Sequence, residues 1–281
     1  MKTPDFVIVG HVVQDLTPQG SRLGGAATFA SLQACRLGRT AGVVTRAGKD
    51  VLSDPQLSGI EFAGRSSQQT TTFENRYDGA ERRQRVPAQA ASITSIDVPP
   101  AWLEAAVVFL APVCGEVPSE YSRLFTHGVL GIGAQGWLRE LDEEANVRRR
   151  AWNGPAFWEG GDVLFVSDED LAGNERQLDR WVQDLPAVVV TRERRGARVH
   201  SEGGWREIEA FPADEVDPTG AGDVFAAAYL IRYEESADVA SAVRFASAAA
   251  AASVEAEGTA GIADRAEIER RLAAHPEIVL A

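Results

Sequence analysis

Six short, β-rich apolar runs punctuate the chain: Phe6–Val13, Ala41–Thr45, Val107–Leu110, Val129–Ile132, Val163–Val166 and Ala187–Thr191. Helix-like stretches lie between several of them, and this alternation argues for a mostly parallel sheet covered by helices. One such stretch, Ala26–Leu37, stops at Gly38, the usual residue just past a helix end. The last quarter reads as helix: Ala221–Arg232 and Val239–Val254 are rich in alanine, and Asp264–His275 is amphipathic, with Ile268 and Leu272 one turn apart. Two regions break the pattern. Ser66–Arg85 is polar, with Tyr77-Asp78-Gly79 as a hairpin turn, and predicts a small antiparallel sheet off the core. Gly196–His200 and Trp205–Phe211, joined by Glu202-Gly203-Gly204, predict a second hairpin. No repeat or linker divides the chain. The expectation is one α/β domain over residues 1–281, with a small β lid built mainly from about 14–23 and 64–97.

A chain of 281 residues buries about three-quarters of its unfolded surface and needs no disulfide or metal staple. Its 28 basic and 41 acidic residues leave a net charge of −13, which repels a phosphate backbone, so no nucleic-acid partner is expected. Cys35 and Cys114 form no metal-ligand spacing and read as reduced, partly buried thiols. The apolar run near the N-terminus is too short for a signal segment, and no stretch reaches the roughly 18 apolar residues of a membrane span. A cytoplasmic protein without a membrane partner is expected. Only Lys2 and Lys49 among the 28 basic residues are lysines, and neither completes G-x-x-x-x-G-K-[ST]. That excludes a Walker-type NTPase, and the dinucleotide fingerprint G-x-G-x-x-G is also missing after the first strand.

The strongest local signal is Asp217-Pro218-Thr219-Gly220-Ala221-Gly222-Asp223, placed directly before a helix. Glycine in a helix start costs roughly 1 kcal/mol, so two within one turn call for an explanation. The N–H groups of Gly220, Ala221 and Gly222 can all face one anion, and the helix dipole adds positive potential there. A phosphoryl group in transfer is such an anion. Asp223, in the first turn, can accept a proton from an attacking hydroxyl.

The heptapeptide resembles the C-terminal signature of the ribokinase-like (PfkB) carbohydrate kinases, usually D-T-x-G-A-G-D, with Pro218 here between the aspartate and the threonine. Gly24-Gly25-Ala26-Ala27-Thr28-Phe29-Ala30 followed by Arg36-Leu37-Gly38 resembles the family's G-G-x-x-x-N-x-A…R-L-G segment, with Phe29 in place of the asparagine. Gln14-Asp15, after the first run, resembles the end of the family's first strand with its substrate-binding aspartate. The resemblance implies ATP-dependent transfer of phosphate to a sugar or polyol hydroxyl, with Asp223 as catalytic base and Gly220, Ala221 and Gly222 as anion hole. It also implies Asp15, Gly24 and Gly25 at the acceptor. The magnesium-associated N-x-x-E appears as Ser167-Asp168-Glu169-Asp170, which leaves Asp170 as an indirect Mg²⁺ partner beside a plain reading as a capped helix start. The nucleotide loop T-x-G-x-x-G appears as Thr191-Arg192-Glu193-Arg194-Arg195-Gly196, so Thr191, Arg192 and Gly196, with Thr219, are expected at ATP.

Segments 10–15, 70–74, 78–79 with Arg82-Arg83, 111–113 with 116–118, and Gln135-Gly136-Trp137-Leu138-Arg139 together are similar to the myo-inositol kinase branch of that family. Gln135 and Arg139 then join the acceptor site, Arg139 as a permanently charged rim. Trp137, Trp152 and Trp158 read as packing residues. The alternatives are a furanose or nucleoside kinase and a non-catalytic ligand-binding relative. A small-molecule sugar or polyol is the expected partner, bound by a monomer or a homodimer.

Overall fold

The computed structural model describes residues 2–18, 20–78, 81–152, 156–172 and 175–281. Its main sheet has nine strands: β1 (Phe6–Val9), β4 (Ala41–Val44), β5 (Glu61–Ala63), β8 (Val107–Leu110), β9 (Val129–Gly133), β12 (Val163–Ser167), β13 (Ala187–Thr191), β14 (Ala197–Ser201) and β15 (Gly204–Ile208). They lie in the order β15-β14-β13-β12-β9-β8-β1-β4-β5, parallel from β13 to β5, with the β14–β15 hairpin as an antiparallel edge. All four residues of β1 are fully buried, because both faces of the sheet are covered. Phe6 and Ile8 join the core on one face, and Val7 and Val9 that on the other.

The first core includes residues of α1 (Ala26–Arg36), α5 (Ala221–Ser236), α6 (Val239–Ser253) and α7 (Arg265–Ala274). Ala226–Ala228 of α5 and Ala242, Ala246, Ala248 and Ala249 of α6 are buried to within 1% of full coverage. With no side chain beyond Cβ at these positions, the two helix backbones can approach closely. The second core gathers Trp102, Trp137, Phe157, Trp158 and Trp181, the last from α4 (Glu175–Asp184). Trp137 stacks on Phe157 at 4.7 Å and donates its indole N–H to Val117 O at 2.8 Å. Trp137 and Trp158 are therefore packing residues, as expected. Two short helices, α2 (Lys49–Leu52) and α3 (Asp168–Leu171), follow β4 and β12.

The run expected as one first strand, Phe6–Val13, is split. The chain leaves the main sheet after Val9, and β2 (Val13–Thr17) belongs to a separate sheet with β3 (Gly20–Gly24), β6 (Thr71–Asp78) and β7 (Glu81–Ala88), in the order β3-β2-β6-β7. Asp15 is thus mid-strand in β2, not at the carboxyl end of β1. The cause is polar: His11 N–H donates to Glu116 Oε1 at 3.1 Å and Val12 N–H to Thr45 Oγ1 at 3.0 Å, so side chains replace the sheet ladder there. The expected turn at Tyr77-Asp78-Gly79 has its glycine outside the described residues. A third sheet, the two-stranded ribbon β10 (Arg139–Leu141) and β11 (Val147–Arg149), is missing from the sequence reading. It meets β7 through Val86 N–H donating to Ala145 O at 2.8 Å. Among the described residues, no helix is long and apolar enough to cross a membrane.

Candidate active site

The carboxyl ends of β1, β8, β9, β12 and β13 share one edge of the main sheet, where an open α/β sheet places its ligands. Asp223 sits in the first turn of α5, whose start is set by Gly220 with φ 78°. A Cβ on Gly220 would lie 2.3 Å from the Phe29 ring, so the close packing of α5 on α1 requires glycine there. This explains Phe29 in place of a polar residue: it is 1% exposed and supports the turn from beneath. Gly222 is different. It is exposed, and a Cβ there would meet nothing within 4 Å, so packing gives no reason for a glycine. Of the three amides expected to face an anion, that of Ala221 is committed to Pro218 O at 3.3 Å. Those of Gly220 and Gly222 have no acceptor among the described residues.

Three polar side chains converge near Asp223. Asp170, 5% exposed, lies with its Oδ1 3.8 Å from Arg139 Nη2, and its Oδ2 accepts from Ser167 Oγ at 2.7 Å and Gln135 Nε2 at 3.5 Å. Ser167 also caps α3, accepting from Asp170 N–H at 3.0 Å, so the plain reading of this segment as a helix start holds as well. Desolvation pushes the Asp223 carboxyl up to about 7; Arg139 works against the shift and Asp170 adds to it. The structure therefore brings together Asp223, Asp170, Gln135 and Arg139, which the sequence separates by up to 88 positions.

Asp15 is 8% exposed, and its carboxylate covers Gly24: a Cβ on Gly24 would lie 2.2 Å from Asp15 Oδ2. Behind it, His11 fastens β6 to the core. Thr71 Oγ1 accepts from Ala90 N–H at 3.0 Å, so its hydroxyl donates to His11 Nδ1 at 2.8 Å, and Nε2–H donates to Ala91 O at 3.1 Å. Burial holds His11 below its usual value and outweighs the pull of Glu116. Glu116, 1% exposed, also accepts from Val113 N–H at 2.9 Å and Cys114 N–H at 2.8 Å, which ties the turn after β8 to that after β1.

The loop after β13 is engaged with itself. Arg192 N–H donates to Gly196 O at 2.8 Å, and the Arg192 guanidinium pairs with Glu207 at 3.0 Å. Arg194 pairs with Glu215 at 3.1 Å and Arg195 with Asp168. Glu193 adopts φ 50°, a conformation that favours the glycine of the family pattern. Thr191 lies in register with Ser167, one strand from Asp170. Thr219 accepts a hydrogen bond from Arg22 at 3.2 Å, and Asp217 pairs with the same arginine at 2.7 Å. Nothing in the sequence flagged Arg22, which lies 195 positions from Asp217. Burial works against the Asp217 charge, yet hydrogen bonds from Thr219 and Gly258, with Arg22, hold it below the usual carboxylate range. A cavity of about 430 Å³ lies beside this centre rather than on it, lined by Arg22, Leu32, Arg36, Gln56, Gly258 and Thr259.

Residues 159–265 match the pfkB family carbohydrate kinase model. The chain is 27% identical over 272 residues to a cytidine kinase of Thermococcus kodakarensis, covering 85% of this chain and 92% of that one. A pyrophosphate-dependent kinase in the ribokinase family, solved with a pyrophosphate analogue and myo-inositol, superposes with a TM-score of 0.78 at 22% identity, over 94% of this chain and 99% of that one. A ribokinase of Arabidopsis thaliana, solved with ribose and ATP, gives 0.72 at 17% identity, over 96% and 99%. The structural likenesses carry the fold. The chain has the ribokinase-like fold, and its C-terminal part, residues 159–265, is similar to the pfkB family of carbohydrate kinases.

Proposed function

We propose that this kinase transfers the γ-phosphate of ATP to a hydroxyl of a cyclic polyol of the myo-inositol kind. The observation that carries the reading is the start of α5. An ionisable carboxyl held near neutrality stands there beside two amides without acceptors, under open space at Gly222. Asp15 accepts hydrogen bonds from neighbouring hydroxyls of the acceptor, with Gly24 and Gly25 letting the backbone come close. Gln135 and Arg139 bound the same acceptor from the β9 side. Asp223 takes the proton of the attacking hydroxyl as its oxygen bonds to phosphorus and the bond to the leaving ADP breaks. The amides of Gly220 and Gly222 receive the charge of the transferring group, and Arg139 neutralises it from the side.

ATP supplies the phosphoryl group, and Mg²⁺, carried in with its phosphates, supplies further positive charge. The donor's place is the edge from Thr191 to Gly196 with Thr219, at the carboxyl end of β13. Among the described residues no three His, Cys, Asp or Glu side chains gather to hold a metal. Asp170 is accordingly the carboxylate on offer to a hydrated ion, an indirect contact.

A second reading, a nucleoside as acceptor, is favoured by the near full-length match to a cytidine kinase. One screen separates the two. Purified enzyme is offered myo-inositol, ribose, fructose, cytidine and adenosine, each with ATP and with pyrophosphate, and product is measured directly by phosphorus NMR. The highest kcat/KM with myo-inositol and ATP is expected. A preference of tenfold or more for cytidine or adenosine moves the chain to the nucleoside reading, and turnover only with pyrophosphate rejects ATP.

A further inference from the structure

Arg22 belongs to β3, in the small sheet, yet its guanidinium ends on the turn that opens α5. Nη1 donates to Asp217 Oδ2 at 2.7 Å and Nη2 to Thr219 Oγ1 at 3.2 Å. Asp217 is the hub of that turn: its Oδ1 accepts from Thr219 N–H at 3.0 Å, and its Oδ2 also accepts from Gly258 N–H at 3.0 Å. The carboxylate is 12% exposed, so the pair is shielded from water on one side, unlike the surface pairs elsewhere on the molecule. A forked guanidinium spanning a carboxylate and a hydroxyl fixes direction as well as distance, which a flexible ammonium does not.

In the antiparallel β2–β3 ladder Arg22 stands directly opposite Asp15, so both side chains leave the same face of the small sheet. One face therefore carries the carboxylate assigned to the acceptor and the cation that grips the turn preceding Gly220. Two residues separate Asp217 from Gly220, and α5 begins at that turn.

We propose that Arg22 is a positioning residue that couples the small sheet to the anion hole, so that seating of the sheet over the acceptor and alignment of the Gly220 and Gly222 amides occur together. The proposal rests on reading those amides as the receivers of the phosphoryl group. Arg22 touches neither reacting atom; it acts through Asp217 and Thr219. Because it also lines the cavity of about 430 Å³ beside Gly258, a small cation from solution can reach Asp217 when the side chain is removed.

The test is Arg22→Ala, with Arg22→Lys beside it, each checked first by thermal melt. Turnover should fall at least tenfold in Arg22→Ala, with acceptor KM changed less than threefold. Guanidinium chloride at tens of millimolar should restore a substantial part of kcat, while urea, the neutral analogue of the same shape, should not. Arg22→Lys should recover less than the added guanidinium. In the absence of any substrate, amide exchange at Gly220–Asp223 should be faster in Arg22→Ala than in the parent. Turnover within threefold of the parent overturns the proposal, as does unchanged exchange in that turn. A kcat loss that urea restores as well as guanidinium also overturns it. If Arg22→Ala does not fold, the same limits applied to Arg22→Lys decide. If no acceptor is turned over even by the parent, the functional reading fails, and the exchange result still decides the coupling.

Discussion

Two turns at the carboxyl edge of the sheet invite comparison: 217–223, which opens α5, and 191–196, which follows β13. Both are tight, and both carry residues at positive φ, Gly220 at 78° in one and Glu193 at 50° in the other. The first leaves two amides unengaged among the described residues and keeps open space over Gly222. The second spends its charges on itself, with Arg192, Arg194 and Arg195 each paired to a carboxylate. Open space over Gly222 receives a ligand without loss of a contact, whereas a turn whose guanidinium groups are already paired must give up pairs to bind one. On the proposed function the demanding chemistry falls to the first turn and a tolerant role to the second.

The sharpest way to break this contrast is Asp223→Asn. Loss of the base should lower kcat by about 10²–10⁴, read as product formation with the best acceptor; a loss under threefold removes Asp223 from the chemistry. Stability should move the other way. The folded-state value of about 7 lies above the ordinary value of 3.8, so between them the folded protein holds a proton that the unfolded chain has released. Stability thus falls as pH rises through that window, and the penalty is complete above it. Asparagine removes the penalty, so the variant should melt above the parent at pH 8, with the gap closing toward pH 4. The helix dipole alone predicts the opposite sign, since it favours the carboxylate; desolvation outweighs it here.

Next in size is Asp15→Ala. A carboxylate–hydroxyl contact of about 1.5–3 kcal/mol corresponds to a rise in acceptor KM of roughly ten- to a hundredfold, with KM for the donor nearly unchanged. Equal losses for both substrates would make Asp15 a support for Gly24 rather than an acceptor ligand. Gly222→Ala then separates ligand space from fold. A methyl group has room in the protein and gains up to about 1 kcal/mol of helix propensity, so the melt should hold or rise. Turnover should drop about tenfold or more, as for a donor displaced by part of an ångström. Unchanged turnover would mean that the space above Gly222 stays empty during the reaction. The smallest effect is expected at Glu193→Gly in the other turn. KM for ATP should change by less than about threefold, or roughly 0.7 kcal/mol, and a larger change would mean that the Glu193 side chain or its backbone conformation itself tunes donor binding.

The sequence reading succeeded where local chemistry decides the outcome. The valine-rich runs became strands because both faces of the sheet are covered, and the Gly220–Asp223 segment opens a helix as its residues require. It failed where distant partners decide. The split of Phe6–Val13 depends on Glu116 and Thr45 taking the amides of His11 and Val12, and neither partner is a neighbour in sequence. The ribbon β10–β11 is too short to carry a period and is held partly by its contact with β7. Arg22 looks like one surface arginine among twenty-six until the small sheet folds toward α5. Phe29 stands where the family pattern has asparagine, and its ring is the floor on which Gly220 rests.

The cation facing Asp223 is a guanidinium, Arg139, and so is the one facing Asp217. The nearby Cys114 thiol is pushed up to about 11 by its burial. His11, walled in and hydrogen-bonded at both ring nitrogens, is held below its usual value by burial. Burial brings the Asp223 carboxyl up to about 7, into the neutral range. The rate should therefore climb with alkalinity through about pH 7 and then stay level, a one-sided curve. An enzyme relying on lysine for the same charge would lose its rate again on the alkaline side.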